Sequence, residues 1–326
     1  MSQTTASLVL NGKTEAISSE TQERVRRAAH DLGYRPNAVA KSLRRRETHT
    51  IAFVSDVIVT TPHAGALIQG AQDVAHRHGY MLLLANTNND PELEGQLIGA
   101  LLDRQVDAAV YATMFHRVVD VPPALKSTPL VFLDARPASG PWSSVVPDEV
   151  AGARAAVEHL VGLGHRRIGY LNDAGGCVAS FERRDAYRAA LAEHGLAVEA
   201  ALEVAAQSET AGGLAAATEL LSRPDRPTAV FCFNDRMASG LYIAAKRLGL
   251  DIPGDLSVVG FDNETLIAEA VDPPLTTVQL PHYEMGAWAL RHLIGRLQGT
   301  IDTPAQERAA CPIVVRASTK AVAAAR

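Results

Sequence analysis

From residue 50 onward the chain alternates short apolar runs with longer amphipathic segments, and this alternation restricts its fold more than any other feature. Apolar runs of four to seven residues that lack a polar face are typical of parallel strands covered by helices on both sides. A first set predicts strands at 50–55, 81–86, 107–113 and 130–135, with helices at 64–80 and 91–105. This part of the sequence therefore predicts an α/β lobe.

A second set of the same kind follows. It predicts helices at 150–163, 181–195, 210–222 and 236–249, and strands at 167–172, 202–206, 228–233 and 256–262. With 326 residues, the chain has the length of about two domains of ~150 residues each. We therefore expect two similar lobes whose ligand lies between them, at the carboxyl ends of the strands.

Polar residues stand where these strands end. They are Asp56, Asp134, Asn234, Asp235 and Asp262. Each could serve as a helix N-cap or a turn residue. Five of them at equivalent strand ends favour a binding site in the cleft.

Motifs of the common enzyme classes are absent from the sequence. No GxGxxG follows a predicted strand, and neither GxxxxGK[ST] nor GxSxG occurs. No His pair has metal-ligand spacing beside a carboxylate. The sequence therefore predicts a binding protein, with no catalytic residues, no cofactor and no metal.

Cysteine content and hydropathy indicate the compartment. The three cysteines are widely spaced and form no CxxC, which favours buried thiols in a reducing environment. The first twenty residues lack the pattern of a signal peptide, and no run of 18 apolar residues occurs. We expect a cytoplasmic protein without a membrane partner.

Charge is distributed unevenly along the chain. Residues 1–50 contain nine Lys and Arg against five Asp and Glu, a net charge of +4. The whole chain carries −5, which leaves −9 for residues 51–326. The basic part predicts helices at 2–12 and 18–33, and then a basic segment at 36–47 that begins with a proline. A basic amino end on an acidic body favours a nucleic-acid-binding segment.

Several motifs carry a family resemblance along the whole chain. TASLVLNGK, ISSETQERVRRAAHDLGYRPNAVAKSLRRRE, FERRDAYRAAL, FCFNDRMASG and DIPGDLSVVGFDN resemble, in order and spacing, the LacI/GalR family of ligand-responsive transcriptional repressors. The resemblance implies a helix-turn-helix segment, a hinge helix and a two-lobed sensor like a periplasmic binding protein, with two Rossmann-like parallel-sheet lobes. The implied units are a partial helix-turn-helix domain at 1–35, a hinge helix at 36–49, a first lobe at 50–149 and 281–312, and a second lobe at 150–280 and 313–326.

The amino end departs from the family pattern. Met1 stands where the family's recognition helix begins, so the first helix and the turn, some twenty family residues, are missing from the sequence given. Either a downstream start codon defines this sequence or the form is truncated. We expect residues 1–33 to be poorly anchored in this form.

The resemblance implies DNA-binding roles for eight residues. Base edges in the major groove would be read by amides and hydroxyls near the start of the recognition helix, and phosphates by hydroxyls and amides around them. A leucine of the hinge would wedge into the minor groove, beside an arginine that attracts phosphate. The implied positions are Gln3 and Thr4 for bases, Ser2, Ser7 and Asn11 for phosphates, and Asn37, Leu43 and Arg44 in the hinge. Leu8 stands where many members carry a groove-reading arginine.

The resemblance also implies the effector site. A ring of carboxylate, amide and guanidinium groups suits a polyhydroxylated ligand, since each hydroxyl both donates and accepts. The implied positions are Asp56, Met114, His116 and Asp134 in the first lobe and Arg183, Asn234 and Asp262 in the second, with Met114 and His116 lying after the third strand. Phe115, Trp142 and Phe181 are candidates for an aromatic platform.

The nature of the effector follows from finer similarity. DVIVTTPHAGALIQGAQ, YATMFHR and FLDARP resemble the actinobacterial branch that responds to cellobiose and related β-glucosides. We therefore expect a homodimer on a pseudo-palindromic operator, released by such a sugar. Another oligosaccharide or a purine, corepression instead of induction, and a sugar-binding protein that does not bind DNA remain alternatives.

Overall fold

Two largely parallel sheets organise the chain from residue 50 onward. The computed structural model describes residues 2–10, 14–34, 47–57 and 64–322. The strands are β1 (Thr50–Ser55), β2 (Met81–Asn86), β3 (Ala108–Val119), β4 (Leu130–Pro137), β5 (Ser143–Pro147), β6 (Ile168–Asp173), β7 (Glu203–Ala206), β8 (Ala229–Cys232), β9 (Ser257–Asp262), β10 (Thr276–Gln279), β11 (Gln306–Ala309) and β12 (Ile313–Val314).

Helices cover the faces of these sheets and form the amino end. They are α1 (Gln3–Leu10), α2 (Ser19–Asp31), α3 (Ala64–Arg77), α4 (Pro91–Leu102), α5 (Glu149–Gly162), α6 (Val178–Glu193), α7 (Thr210–Leu221), α8 (Asp235–Arg247), α9 (Thr265–Ala268) and α10 (His282–Leu297). Among the residues described, no helix is long and apolar enough to cross a membrane.

The two sheets repeat one strand order. The first runs β2-β1-β3-β4-β5-β11, and the second runs β7-β6-β8-β9-β10-β12. All pairs are parallel except β10 with β12. This order is doubly wound, with its switch point beside the first strand of each lobe. The predicted α/β fold of two similar parallel-sheet lobes is confirmed.

The chain crosses between the lobes more than once. It leaves the first sheet after β5, returns after β10 to form α10 and β11, and leaves again to form β12. Met285, Leu290 and Leu293 of α10 are buried in the core of the first lobe. Ala153 and Val157 of α5 are buried in the core of the second. The crossovers lie beside Pro147, Leu280 and the segment 310–312.

Two parts of the sequence pattern were misread. Strand β3 does not end at residue 113 but runs to Val119, so Met114 and His116 lie inside it and not after it. Its register against β4 shifts between Ala112 and Arg117, and the polar residues in this irregular stretch interrupt the apolar run. The short strand β5 was missed because two serines and one proline occupy three of its five positions.

The amino end forms the two predicted helices with slightly shorter bounds. Val9 of α1 and Val25 of α2 are almost fully buried, and the two helices contact each other. The Ser18 side chain caps α2 by accepting from the Thr21 N–H. Gly33, with φ +59°, follows the end of α2, as the terminal glycine in the sequence predicted.

Reciprocal glycines bring pairs of helices into close contact in both lobes. In the first lobe, a methyl group on Gly70 of α3 would collide with the Tyr283 carbonyl oxygen of α10, and one on Gly286 of α10 with the Leu67 carbonyl oxygen of α3. Gly213 of α7 and Gly240 of α8 meet the facing backbone in the same way in the second lobe. Each crossing therefore depends on the absence of a Cβ.

Replacing Gly286 by alanine should destabilise the protein. The added methyl group forces α3 and α10 apart, at a cost of about 1–3 kcal/mol. The midpoint of urea unfolding measures this change. Gly99→Ala in α4 is the control: its Cβ would meet open space, so it should leave the midpoint unchanged or raise stability by about 0.5–1 kcal/mol. Equal midpoints for the two variants would contradict the interpretation of this crossing.

Candidate functional site

A cavity of about 90 Å³ lies between the lobes. First-lobe and second-lobe residues both line it, in or after the carboxyl-terminal halves of their strands. Of the residues implied by the sequence, the structure brings together Met114, His116, Asp134, Arg183, Asn234 and Asp262. The same cavity is lined by Phe115, Pro147, Glu149, Cys177, Phe233, Arg236 and Leu280, among others.

Arg183 lies on the floor of the cleft. Its Nε donates to Glu149 Oε2 at 2.6 Å, and its Nη1 donates to the Phe233 carbonyl oxygen at 2.5 Å. Asp262 Oδ1 lies 3.7 Å from Nη1, and the Phe261 ring stacks 3.6 Å from the guanidinium carbon. Burial by itself lowers the pKa of Arg183, but Glu149 and Asp262 outweigh it and raise the pKa. The guanidinium is thus charged and its charge is neutralised from within the protein.

Two carboxylates of the cleft occupy strained backbone. Asp134 has φ +54° and Asp262 has φ +111°. Such conformations cost free energy for a residue with a Cβ and are enriched at functional sites. Asp134 lies inside β4, beside the irregular stretch of β3, and not after the strand as the sequence predicted, whereas Asp262 is the last residue of β9. Both side chains line the cavity.

Asp134 carries a buried polar atom without a protein partner. The residue is 5% exposed, and within the described residues its Oδ1 accepts no hydrogen bond. Burial raises the pKa of this carboxyl well above its ordinary value, Glu149 adds to the rise, and Arg183 opposes it. The raised pKa favours the protonated form of Asp134, in which the carboxyl offers one donor and one acceptor to the cleft.

His116 is a second buried group of this kind. Neither ring nitrogen has a hydrogen-bond partner among the described residues, and the residue is 2% exposed. Burial lowers its pKa to about 4, and Arg136 and Arg308 act in the same direction. The ring is therefore neutral at neutral pH and offers one donor and one acceptor.

Asn234 combines a structural role with its place in the cleft. Its Oδ1 accepts from the Met237 N–H at 2.8 Å as the N-cap of α8, and its Nδ2 donates to the Ser208 carbonyl oxygen at 2.9 Å. Asp235, the next strand-end residue, is fully buried and accepts from the Thr277 hydroxyl at 2.6 Å and the Glu264 N–H at 2.7 Å. Its interactions are internal to the second lobe.

Asp56 supports the cleft without lining the cavity. It accepts from the Met114 N–H at 3.1 Å and pairs with Arg117 Nη2 at 2.9 Å. On the other side of the irregular stretch of β3, the Thr113 hydroxyl donates to the Asp134 carbonyl oxygen at 2.6 Å. These bonds hold β3 in the shape that presents Met114 and His116.

The three aromatic candidates occupy different environments. Phe115 is 60% exposed and lines the cavity, and Phe181 is 48% exposed near the start of α6. Trp142 instead packs against the apolar core of the first lobe. Of these three candidates, Phe115 is therefore the one whose ring lines the cavity.

Reasoning from the sequence missed the partners of Arg183. Glu149 is 2% exposed and begins α5 directly after the missed strand β5. Phe233 and Phe261 were assigned only as strand residues, although both rings stack on the guanidinium. The segment VVPDE, in which apolar residues precede a proline and two acids, is the signal that marks another strand end.

At the amino end, α1 presents one exposed and mainly polar face. Gln3, Thr4, Ser7 and Leu8 are exposed at helical spacing, opposite the buried Val9. The Ser2 hydroxyl accepts from the Thr5 N–H at 3.1 Å and so caps this helix. The other implied DNA contacts, Asn11, Asn37, Leu43 and Arg44, lie outside the described residues.

In the part of the chain that the structure describes, no group of three or more His, Cys, Asp and Glu side chains could hold a metal ion. The three cysteines are free thiols.

Two segments of the chain match known protein families. Residues 1–37 match the family described as bacterial regulatory proteins, lacI family, and residues 157–319 match a periplasmic binding protein-like domain. The transcriptional regulator DegA of Bacillus subtilis is 32% identical over 97% of this chain and 94% of its own length.

Two solved structures are similar along almost the whole chain. A complex of the transcriptional regulator CelR with cellobiose is 31% identical, with a TM-score of 0.71 over 96% of this chain and 94% of that chain. The lac repressor dimer bound to operator and the anti-inducer ONPF is 25% identical, with a TM-score of 0.80 over 98% and 95%. The chain therefore belongs to the lacI family of bacterial regulatory proteins and is a DNA-binding, ligand-responsive transcriptional repressor.

Proposed function

We propose that this repressor binds its operator as a homodimer and is released when cellobiose or a related β-glucoside occupies the cleft. The observation that carries the proposal is the pair of buried, unpartnered hydrogen-bonding groups of Asp134 and His116, which face the same cavity as Arg183. Buried polar groups that lack a protein partner are costly unless a ligand satisfies them.

Charge balance favours an uncharged ligand. The positive charge of Arg183 is already met by Glu149 and Asp262, and His116 is neutral. An anion would meet these two carboxylates, and a cation would meet the buried guanidinium. Sugar hydroxyls, which donate and accept, fit the mixture of a neutral acid, a neutral imidazole and a paired arginine.

A β-linked glucoside is supported by similarity and by one aromatic ring. The CelR structure, 31% identical over nearly the whole chain, is a complex with cellobiose. Phe115, exposed at the cavity, offers a face on which a sugar ring can stack. A different oligosaccharide or a purine would use the same cleft and is an alternative outcome of the screen below.

The size of the cavity implies that the lobes move when a sugar binds. Ligand pockets typically occupy ~300–1,000 Å³, so the cleft, with a cavity of about 90 Å³, must open to admit a disaccharide and then close around it. A ligand that contacts both lobes then favours one lobe arrangement over the other. The arrangement favoured by the sugar would separate the paired hinge segments at residues 36–49, where Leu43 and Arg44 would contact the operator.

On the operator, two copies of α1 would read the half-sites of a pseudo-palindrome. The exposed Gln3 and Thr4 can pair with base edges in the major groove. Ser2, Ser7 and Asn11 would contact phosphates, and Asn37 would begin the hinge helix.

Cellobiose should release the protein from DNA. The full chain is used to select a duplex from a random pool, and gel shift then measures binding with cellobiose, glucose, maltose, xylobiose or a purine. Cellobiose should weaken the complex and raise the melting temperature of the free protein, since a ligand that binds the folded state stabilises it. A melting shift with a purine and none with cellobiose would refute the proposed effector.

Arg183→Lys should abolish the sugar response. Lysine keeps the positive charge but loses the planar fork that can bond two neighbouring hydroxyls. The cellobiose-dependent melting shift should vanish, while operator binding without sugar is retained. Arg184→Lys, the same change at the next position, is the matched control, because Arg184 pairs with Asp185 at the surface. Loss of operator binding in Arg183→Lys with unchanged sugar affinity would contradict the assignment.

Asp134→Asn should bind cellobiose within about threefold of wild type. A protonated carboxyl and an amide both offer a donor and an acceptor, whereas Asp134→Ala removes both and should weaken binding more than about tenfold. Isothermal titration calorimetry measures both variants. An asparagine variant as weak as the alanine variant would show that Asp134 acts as a carboxylate.

The same variant should change the pH dependence of stability. Because its pKa is raised, Asp134 keeps its proton in the folded protein at pH values at which it has lost it in the unfolded chain. The stability of the folded state therefore falls as pH rises from the ordinary aspartate range to the raised pKa. Asp134→Asn lacks this fall, and its melting temperature relative to wild type should increase with pH across that window.

A further inference from the structure

One acidic side chain of the second lobe lies among three basic groups of the first. Glu182 Oε1 is 3.9 Å from Arg136 Nη1 and 3.8 Å from Arg308 Nη2, and Glu182 Oε2 is 3.9 Å from His116 Nδ1. Arg136 is in β4, Arg308 in β11 and His116 in β3, whereas Glu182 is in α6. We call these four residues the inter-lobe cluster.

The contacts of Glu182 with Arg136 and Arg308 are close ion pairs rather than hydrogen bonds, and its contact with the neutral ring of His116 is a polar contact of the same length. Distances of 3.8–3.9 Å exceed the range of an N–H···O bond. In the described part of the chain, Glu182 Oε2 is buried and accepts no hydrogen bond. Charge attraction falls slowly with distance, so it can act over a range of lobe separations where a hydrogen bond would break.

Glu182 offsets part of the positive charge of the first-lobe arginines, together with Asp148. Burial lowers the pKa of Arg136, Arg308 lowers it further, and Glu182 opposes the shift. Burial likewise raises the pKa of Glu182, against which Arg308 and Arg136 act. Opening the cleft would withdraw Glu182 from all three partners at once, because they belong to the other lobe.

Glu182 is also linked to the ligand site by sequence. Its neighbour Arg183 lines the cavity, and so does His116 of the inter-lobe cluster. We propose that Glu182 is a positioning residue that draws the two lobes together and thereby sets the ligand concentration at which the repressor responds. Its effect on ligand response rests on the proposed function; its effect on lobe closure does not.

Glu182→Gln is the variant that tests the proposal, and Glu193→Gln is its matched control. Glutamine keeps the shape of glutamate and removes the charge, and Glu182 is only partly buried, so the variant should fold. Glu193 lies on the same helix α6, but its partner is Arg154 at 2.5 Å in the same lobe. Removing that charge should not affect the cleft.

Lobe closure is measured without any ligand. Nitroxide labels at Val118→Cys and Val198→Cys, which are exposed on different lobes, report the inter-lobe distance in a Cys177→Ser background. Dilution with unlabelled chain limits the signal to one protomer. Wild type and Glu193→Gln should open on going from low salt to about 1 M NaCl, where the Debye length is roughly 3 Å. Glu182→Gln should be open at both salt concentrations.

Sugar binding supplies the second measurement. At low salt, Glu182→Gln should raise the Kd for cellobiose about 3- to 10-fold and remove its salt dependence, whereas Glu193→Gln should match wild type. The proposal would be overturned if wild type and Glu182→Gln had equal inter-lobe distances at low salt. It would also be overturned if Glu182→Gln and Glu193→Gln changed the distance or the Kd for cellobiose equally. If the distances respond as expected and no sugar binds, the effector assignment fails and the role of Glu182 in closure stands.

Discussion

The buried pair of Arg183 and Glu149 is the interaction on which the cleft depends. Both side chains are almost fully removed from water, and such a pair is stable only when its geometry is good and its remaining groups are satisfied. The Phe233 carbonyl oxygen accepts from the guanidinium, and the Phe261 ring covers it. Removing either charged partner would leave the other buried alone, at a cost of about 3–5 kcal/mol. Because Glu149 begins α5 just after the chain leaves the first lobe, this pair also fixes the crossover at the floor of the cleft.

Around this pair, some polar side chains of the described residues form hydrogen bonds within the protein, and others are buried with atoms that form none. Asp56 accepts a hydrogen bond that shapes β3, Asn234 caps α8, and Asp235 accepts from the Thr277 hydroxyl and the Glu264 N–H within the second lobe. Asp134 and His116 are buried with unpartnered atoms among the residues described. Asp56, Asn234 and Asp235 therefore hold the backbone in place, whereas Asp134 and His116 offer hydrogen-bonding groups that a ligand can satisfy.

The sequence was sufficient to predict the two lobes because each strand is a short apolar run between amphipathic helices. The strand-end rule also selected Asp134 and Asp262, since open parallel sheets place their carboxyl ends toward the ligand. The same rule could not distinguish them from Asp56 and Asp235, because a cap and a ligand contact use the same residue types at the same place. The roles of Glu149 and Glu182 could not be predicted for another reason. Their partners come from distant strands or the other lobe, and a single sequence does not reveal such pairs. The irregular stretch of β3 was hidden in the same way, because the bonds that hold it come from Asp56 and from β4.

Because each lobe is rigid, the relative orientation of the two lobes is the part of the structure that can change most easily. Reciprocal glycines lock α3 to α10 and α7 to α8 at backbone contact, so neither lobe can adapt to a ligand by sliding these helices apart. Differences in ligand contact must therefore be expressed at the crossovers between the lobes. The chain enters the first lobe through Thr48 and Thr50, whose N–H groups donate to the Asp107 carboxylate at 2.8 and 3.2 Å. Because this clamp ties the amino-terminal segment to the first lobe, a rotation of that lobe moves the point from which the DNA-binding end departs. A ligand that binds both lobe arrangements equally would leave that point where it is, so only contacts that differ between the two arrangements can reach the operator.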